Sequence, residues 1–385
     1  MDTIKFIVIL LFLISIYPFI IYPFLIFLIS RIFKRKIETD PNFEPEISIL
    51  VPVHNEERNI EPLIEAIKNS GYPLSKIQLI FASDGSTDKT NEIIQRVAKE
   101  NDFIDFYLFP RKGKNFVLNQ LFSKAKHNIV LLVDADIRIP RGTIHNIVKY
   151  FADQKVGGVL TNLMIKRDEE SHYNLEESHT HQFLLNIRKW ESDIYATVNN
   201  TGPCYAIRKE LFVPIPNDKV CDDYFILLKV VTAGKRMVLA KEAIVYDIRE
   251  RDNVWKEYHR KKRFSAGGIS AILAVKELFK HPYLLFLTFS HKLLRWLSPF
   301  FAIIGLILLL WFSDSQIQSI IFSIIGLFVL LLLLGIVNLK FWKRKLTVLV
   351  LPLYIMISVS GTVSGVIRAL LGKQNASWTL EGLEN

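Results

Sequence analysis

Apolar stretches at both ends of the chain, with a charged middle between them, constrain its fold more than any other feature. Residues 6–30 carry no charge, and 293–312, 317–339 and 346–371 are almost as apolar, while charged residues concentrate between about 31 and 280. A helix rises about 1.5 Å per residue, so each stretch is long enough to cross a hydrocarbon core of roughly 30 Å. A cleaved leader would have a shorter apolar core and a small-x-small site after it. Here Arg31-Ile-Phe-Lys-Arg-Lys36 follows instead, which predicts an uncleaved anchor. Pro18 and Pro23 are expected to kink it. Arg295, near the start of its stretch, is expected to snorkel to the interface. The layout predicted is an anchor at 1–33, a polar domain at 45–250, a basic amphipathic interface region at 251–290, two to three spans within 291–373, and a tail at 374–385.

Basic residues set orientation. Lys34-Arg-Lys36 and Lys343-Arg-Lys345 are expected on the cytoplasmic side, and the link 313–316, which has no basic residue, outside. The net charge of +10 fits basic residues beside membrane lipids. No helix-turn-helix, zinc-finger or RNA-binding signature accompanies it, so nucleic acid is not expected as a partner. The two cysteines, Cys204 and Cys221, have neither redox nor metal spacing and are read as reduced thiols.

Within 47–250, short β-branched runs alternate with helical periodicity. Residues 47–53, 77–81 and 128–133 read as buried strands; Ile60, Leu63, Ile64 and Ile67 share a helix face within 57–69. This rhythm predicts an α/β, Rossmann-like domain with a mostly parallel sheet and transmembrane helices at both ends. Ligands bind such sheets beyond the carboxyl ends of the strands. The polar motifs fall there: His54-Asn-Glu56, Asp84-Gly85 and Asp134-Ala-Asp136.

Asp134 and Asp136, two apart after an apolar strand, can offer hard oxygen ligands to Mg²⁺ or Mn²⁺ bridging two phosphates, or can simply cap a loop. Asp84 fits either a contact to a ribose or base edge or a turn before a helix N-cap. Arg111, Lys112 and Lys114 form a cationic loop suited to phosphate or to solvent. Asp222 and Asp223 precede a helical run at 224–231; they suit a helix N-terminus, and one of them suits a general base. Arg260-Lys-Lys-Arg263-Phe264 is a basic run suited to a membrane surface or a diphosphate. The nine histidines have no recurring metal spacing.

In this order the motifs resemble those of membrane-bound, processive-type members of glycosyltransferase family 2, the group of the poly-N-acetylglucosamine, hyaluronan and cellulose synthases. The resemblance covers residues 47–264 for motifs and both ends for layout. Val51-Pro52-Val-His54-Asn-Glu56-Glu57 is similar to the family's opening nucleotide-binding strand. Asp84 matches its uridine-contacting aspartate, Gly113-Lys114 its donor-side Gly-Lys, and Asp134-Ala-Asp136 its metal-binding Asp-x-Asp. Thr201-Gly202-Pro-Cys-Tyr-Ala-Ile-Arg208 resembles the acceptor-side stretch. Cys221-Asp222-Asp223 resembles Thr-Glu-Asp, which gives Asp223 the role of catalytic base and puts Asp222 on the acceptor side. In Arg260-Lys-Lys-Arg263-Phe264, Arg and Phe replace the Gln and Trp of the family's Gln-x-x-Arg-Trp. Arg260 and Arg263 are then expected on the diphosphate and Phe264 beside the acceptor. The lost Trp weakens the case for processive elongation.

The resemblance implies a GT-A fold, a UDP-sugar donor, a divalent metal and inversion at the anomeric carbon. The acceptor would be a growing polysaccharide or lipid-linked glycan at the cytoplasmic face of a bacterial or archaeal plasma membrane. A non-processive transferase adding one sugar to a membrane lipid is the second reading. A catalytically inactive nucleotide-sugar-binding regulator is the third.

Overall fold

The computed structural model describes residues 2–166, 174–200, 202–216, 221–248, 254–341 and 347–373. Thr201, Lys343-Arg-Lys345 and the tail from 374 lie outside the described residues. Two apolar helices open the chain, α1 (Asp2–Ile16) and α2 (Ile21–Ile32). The central domain then runs β1 (Ile47–Val53), α3 (Ile60–Lys68), β2 (Ile77–Asp84), α4 (Thr90–Glu100), β3 (Ile104–Phe109), α5 (Lys114–Lys124) and β4 (Ile129–Val133). It continues through β5 (Ile137–Arg138), α6 (Thr143–Val148), β6 (Val156–Lys166), α7 (Asn174–Ile194), β7 (Cys204–Arg208), α8 (Asp222–Thr232) and β8 (Arg236–Ile248). Five helices follow: α9 (Val254–Ala274), α10 (Pro282–Thr288), α11 (Leu294–Phe312), α12 (Ser315–Phe341) and α13 (Thr347–Leu370).

The strands form one sheet in the order β3-β2-β1-β4-β7-β6-β8-β5. Strands β3, β2, β1 and β4 are mutually parallel, as are β6 and β8. Antiparallel β7 joins the two blocks, and short β5 closes the far edge. All residues of β1, β2 and β4 are buried, because helices cover both faces. One core lies under α3, α4 and α6; the other lies under α5, α7, α8 and α9. The chain reverses direction of winding at β1, so β1, β2 and β4 present their carboxyl ends around one crevice.

The apolar N-terminal stretch, expected to be an anchor, is not a straight helix. Its two halves meet at 58°, with Pro18 in the break. Proline lacks an N–H and restricts the residue before it, which disfavours an uninterrupted helix there. The second half docks on the catalytic domain: Tyr22 and Ile26 are fully buried in the core that holds Leu185, Ile187 and Tyr224.

Pro282–Phe312, Ser315–Lys340 and Leu349–Leu370 are each long and apolar enough to cross a membrane. The first begins well before residue 293, because α10 continues through a π-helical turn, Phe289–Leu293, into α11. Arg295 does not snorkel. It turns inward, donating Nη2–H to the Pro18 carbonyl at 3.3 Å, with its guanidinium 5.3 Å from the Phe19 ring. The break at Pro18 has freed carbonyls, and Arg295 meets one of them.

Helix α13 lies on α9 through glycines four residues apart. A Cβ at Gly361 would come within 2.5 Å of the Tyr258 carbonyl oxygen, and one at Gly365 within 2.3 Å of that of Lys262. Small residues at this spacing let helix backbones approach closely.

Candidate active site

The crevice is built from strand ends. After β1 the chain turns at Asn55, which holds φ at +56°. Asparagine tolerates this left-handed conformation better than most side chains. Its Oδ1 accepts the Thr87 N–H at 2.9 Å and its N–H reaches Ser86 Oγ at 3.1 Å, pinning the turn to the loop after β2. His54 donates Nδ1–H to the Asp84 carbonyl at 2.9 Å. A carbonyl can only accept, so the proton sits on Nδ1. Burial and nearby Arg111 push this imidazole down in pKa, towards the neutral form. Burial pushes the Glu56 carboxyl up; Asp134 lies close enough to add to that shift.

Asp84 is fully buried at the end of β2. Its carboxylate accepts the backbone N–H groups of Lys112 at 2.7 Å and Gly113 at 3.0 Å, and Arg111 Nη1 at 3.0 Å. It therefore anchors the cationic loop. The turn before α4 is held by Asp88, just ahead of the N-cap Lys89; the Asp88 Oδ1 accepts the Thr90 N–H at 3.0 Å. Gly85 must be glycine: φ is +64°, and a Cβ would lie 2.9 Å from Arg111 N.

Anchoring that loop starts α5 at Lys114, whose ammonium crosses to Asp134 Oδ1 at 2.8 Å and Asp222 Oδ2 at 3.4 Å. Burial works against this charge, but Asp134 and Asp222 outweigh it and raise the lysine above its ordinary pKa. One cation thus joins the Asp-x-Asp loop to the start of α8. Asp136 lies within electrostatic reach of Arg138. The Asp134 carboxylate is 37% exposed and already faces a cation, and its oxygens and those of Asp136 are hard donors. The pair fits Mg²⁺ or Mn²⁺.

Asp222 and Asp223 form the first turn of α8 rather than preceding it, so the helix dipole favours their charge. Burial pushes the Asp223 carboxyl up, Asp222 adds to that, and Lys292 and Lys114 pull it back. Cys221 donates Sγ–H to Asp223 Oδ1 at 2.9 Å. Burial pushes the thiol pKa up, and Asp223 reinforces this, so it stays protonated and serves as a donor rather than a metal ligand. Gly202, at φ +88°, leaves room beside Asp223; a Cβ there would sit 3.4 Å from Oδ2.

Helix α9 closes the site from the side of Cys221, where a Cβ at Gly267 would lie 3.1 Å from Cys221 N. Arg263, one turn earlier, is within electrostatic reach of the Cys221 thiol. Arg260 pairs with Glu257 on its own helix. Phe264 is 44% exposed, with the Arg263 guanidinium 5.5 Å from its ring. The structure thus brings Lys114, Asp134, Asp222 and Asp223 together, with Gly202 beside Asp223, Arg263 within electrostatic reach of Cys221, Glu56 near Asp134, and His54 tied to the Asp84 backbone at the adjoining strand ends.

Several site residues have no motif. Asn200 donates Nδ2–H to the Asp223 carbonyl at 2.9 Å and accepts the Gly202 N–H at 3.2 Å. Behind it lies buried Glu191 on α7, which accepts from Tyr22 Oη of α2, from Thr197 Oγ1 at 2.6 Å and from His291 Nδ1 at 2.6 Å. Burial raises the Glu191 carboxyl, but His291 and these hydrogen bonds outweigh it and hold the group below its ordinary range. Asn199 Nδ2 reaches His291 Nε2 at 3.3 Å. An imidazole with its proton on Nδ1 and its Nε2 free to accept fits both neighbours. The available signal was the presence of His291, Lys292 and Arg295 in an otherwise apolar stretch; ionisable groups in such segments mark function.

Residues 48–214 match the Glycosyl transferase family 2 domain. Among curated relatives, the probable glycosyltransferase YdaM of Bacillus subtilis is 24% identical over 241 residues, 60% of this chain and 56% of that protein. The poly-beta-1,6-N-acetyl-D-glucosamine synthase of Staphylococcus aureus is 25% identical over 256 residues, 63% of this chain and 61% of that protein. The matches therefore span less than two thirds of these relatives' own lengths. A mannosyltransferase from Pyrobaculum calidifontis, solved with GDP-mannose and Mn²⁺, shares the fold at a TM-score of 0.69 and 21% identity, over 96% of this chain and 99% of that one. The sheet, the strand-end carboxylates and the domain match lead to one identification: the chain carries a glycosyltransferase domain of family 2, with the GT-A fold.

Proposed function

We propose that this chain is a membrane-bound, inverting glycosyltransferase that moves a sugar from a UDP-sugar to a lipid-linked glycan or growing polysaccharide. One observation carries the reading: the Lys114 ammonium joins Asp134, on the metal loop, to Asp222, beside the buried carboxyl of Asp223. Donor-side and acceptor-side carboxylates thus share one crevice. Asp134 and Asp136 would hold Mg²⁺ or Mn²⁺, which when bound neutralises charge on the departing diphosphate. Lys114 and Arg263 add positive charge on the same side. Asp223 takes the proton from the acceptor hydroxyl, whose oxygen attacks the anomeric carbon opposite the leaving nucleotide. Cys221 Sγ–H and the Tyr224 N–H fix the Asp223 carboxylate in place. Positioning and fixed charge supply most of the rate. The basic segment at Lys34–Lys36 supports a cytoplasmic active site at the plasma membrane.

A second reading has support. Phe264 in place of the tryptophan favours a single sugar added to a membrane lipid, and a product ladder separates the two. The Pyrobaculum mannosyltransferase was solved with GDP-mannose, so GDP-sugars belong in the donor panel beside UDP-sugars. The test is nucleotide release by the purified protein in detergent across UDP- and GDP-sugars, with and without Mn²⁺. Metal-dependent release from one donor is the expected result. Donor binding with no turnover, in wild type and with acceptor lipids present, would leave a nucleotide-sugar-binding regulator.

A further inference from the structure

Behind Asp223 lies a buried carboxylate that the transfer chemistry does not use. Glu191 on α7 is fully buried, and both of its oxygens are taken. Oε1 accepts from Tyr22 Oη of α2 and from His291 Nδ1 of the π-helical turn, the latter at 2.6 Å. Oε2 accepts from Thr197 Oγ1 at 2.6 Å and from the Val198 N–H at 3.3 Å. A carboxylate offers about four lone-pair sites, and four donors fill them here. Burying a charge is costly, and apolar side chains would join these elements at lower cost. What the carboxylate adds is direction, because each oxygen fixes a group that an apolar contact would leave free to slide.

The donors on Oε2 belong to the segment 197–200, which leads to Asp223. The start of the segment is held by β8, where the Thr197 N–H donates to the Met237 carbonyl at 2.9 Å. From there its bonds run to the Glu191 group. Thr197 Oγ1 accepts the Asn199 N–H at 3.1 Å, and Asn199 Nδ2 reaches His291 Nε2 at 3.3 Å. Arg188, one turn before Glu191 on α7, brings Nη2 to the Asn200 carbonyl at 3.5 Å. The Asn200 side chain then holds two pieces of backbone. Its Nδ2–H meets the Asp223 carbonyl at 2.9 Å, and its Oδ1 meets the Gly202 N–H at 3.2 Å. One amide therefore sets the spacing between the first turn of α8 and Gly202, the residue beside Asp223 Oδ2.

We propose that Glu191 is a positioning residue for Asp223, acting through Thr197, Asn199 and Asn200 on the backbone that carries the base. The proposal rests on Asp223 as the base and adds the groups that aim it. Tyr22 and His291 bring the two apolar ends of the chain into the same constraint. A misplacement of about 1 Å at reacting groups costs up to about 100-fold in rate, so the constraint shows in turnover rather than in donor affinity.

The test uses full-length protein in nanodiscs and three readouts: nucleotide release at saturating donor, donor titration, and alkylation of Cys221, which needs no turnover. The Cys221 thiol donates to Asp223 Oδ1, so release of Asp223 frees it, and fully buried Cys204 is the internal control. Glu191→Gln keeps the shape but replaces one oxygen with a nitrogen that can only donate. The expected result is kcat lower by about ten- to a hundredfold, donor affinity within about twofold, and Cys221 alkylated faster with Cys204 unchanged. Thr197→Val keeps the volume and removes the hydroxyl; it is expected to lower kcat about tenfold, with Thr197→Ser recovering most of it. That pair decides the question where Glu191→Gln does not fold. Asn200→Ala should match Glu191→Gln, and the two together should lose no more than either alone, because both act on one constraint. Losses that multiply overturn the proposal. So does unchanged kcat or unchanged Cys221 labelling in the folded variants, even where the melting temperature falls, since that is the mark of a merely structural role. A wild type that binds donor without turnover removes the transferase reading, and Cys221 labelling in Thr197→Val then decides the positioning by itself.

Discussion

The α9–α13 contact is a place where a helix long and apolar enough to cross a membrane can set the geometry of the crevice, and Gly365→Ala tests it. A methyl group at Gly365 would lie 2.3 Å from the Lys262 carbonyl oxygen and 2.1 Å from Ser265 Oγ. The Ser265 hydroxyl can rotate away; the Lys262 carbonyl is backbone and cannot. To reach ordinary contact at 3.4 Å, the two helices must separate by about 1.1 Å locally. Overpacking of this kind costs about 1–3 kcal/mol. Helix α9 also carries Arg263 and Gly267, and Gly267 touches the Cys221 backbone. A misplacement of about 1 Å near reacting groups can cost up to about 100-fold in rate. The expected outcome is a lower melting temperature with nucleotide release reduced about ten- to a hundredfold, measured in nanodiscs. Gly326→Ala on α12 is the matched control, because a Cβ there meets nothing within 4 Å. Helix-interior Gly→Ala is worth about 0.5–1 kcal/mol of stabilisation, so that variant should melt no lower than wild type and turn over normally. Wild-type melting and turnover in Gly365→Ala would refute the coupling.

Asp223→Asn should lower transfer by about 100- to 10,000-fold while leaving donor binding within a few-fold, read by single-turnover kinetics and donor titration. Burial and Asp222 raise the Asp223 carboxyl, so the base loses its charge at a higher pH than an ordinary aspartate as the medium is acidified. The acid limb of kcat/KM should therefore sit above the usual carboxylate range. Asp222→Asn removes the like charge and should move that limb to lower pH; a limb that stays or moves upward contradicts the assignment. Asp84→Ala deletes the acceptor for two loop N–H groups and Arg111, each charged hydrogen bond being worth about 1.5–3 kcal/mol. Its expected signature is a raised donor KM with faster cleavage at residues 110–114, checked by limited digestion with and without donor.

The sheet and strand-end sites were legible because their signals are local. An apolar β-branched run followed by His54, Asp84 or Asp134 states both the strand and where its end points. Helix α3 begins at Ile60 rather than at 57, since Glu56 and Glu57 are spent on bonds to the Thr90 and Asp88 side chains. Other features were not legible because they join distant segments. Nothing near Glu191 in sequence tells that Tyr22 and His291 will meet it, 169 and 100 residues away. Hydropathy read residues 6–30 as one apolar block and could not distinguish a straight span from a bent pair docked on a core. Arg295 was misplaced for the same reason: its partner is a carbonyl exposed by a bend elsewhere in the chain.

The burial of Tyr22 and Ile26 in the catalytic core has a consequence for how the protein is made. A helix threaded early by the ribosome supplies part of the packing for a domain synthesised after it, and His291 from a still later segment completes the same pocket. The crevice is therefore finished last, once segments on either side of the catalytic domain have been delivered to one place. A free-floating copy of the middle of this chain would lack both contributions. Completion of the packing behind Asp223 is then tied to the presence of both flanking segments, one from each end of the chain.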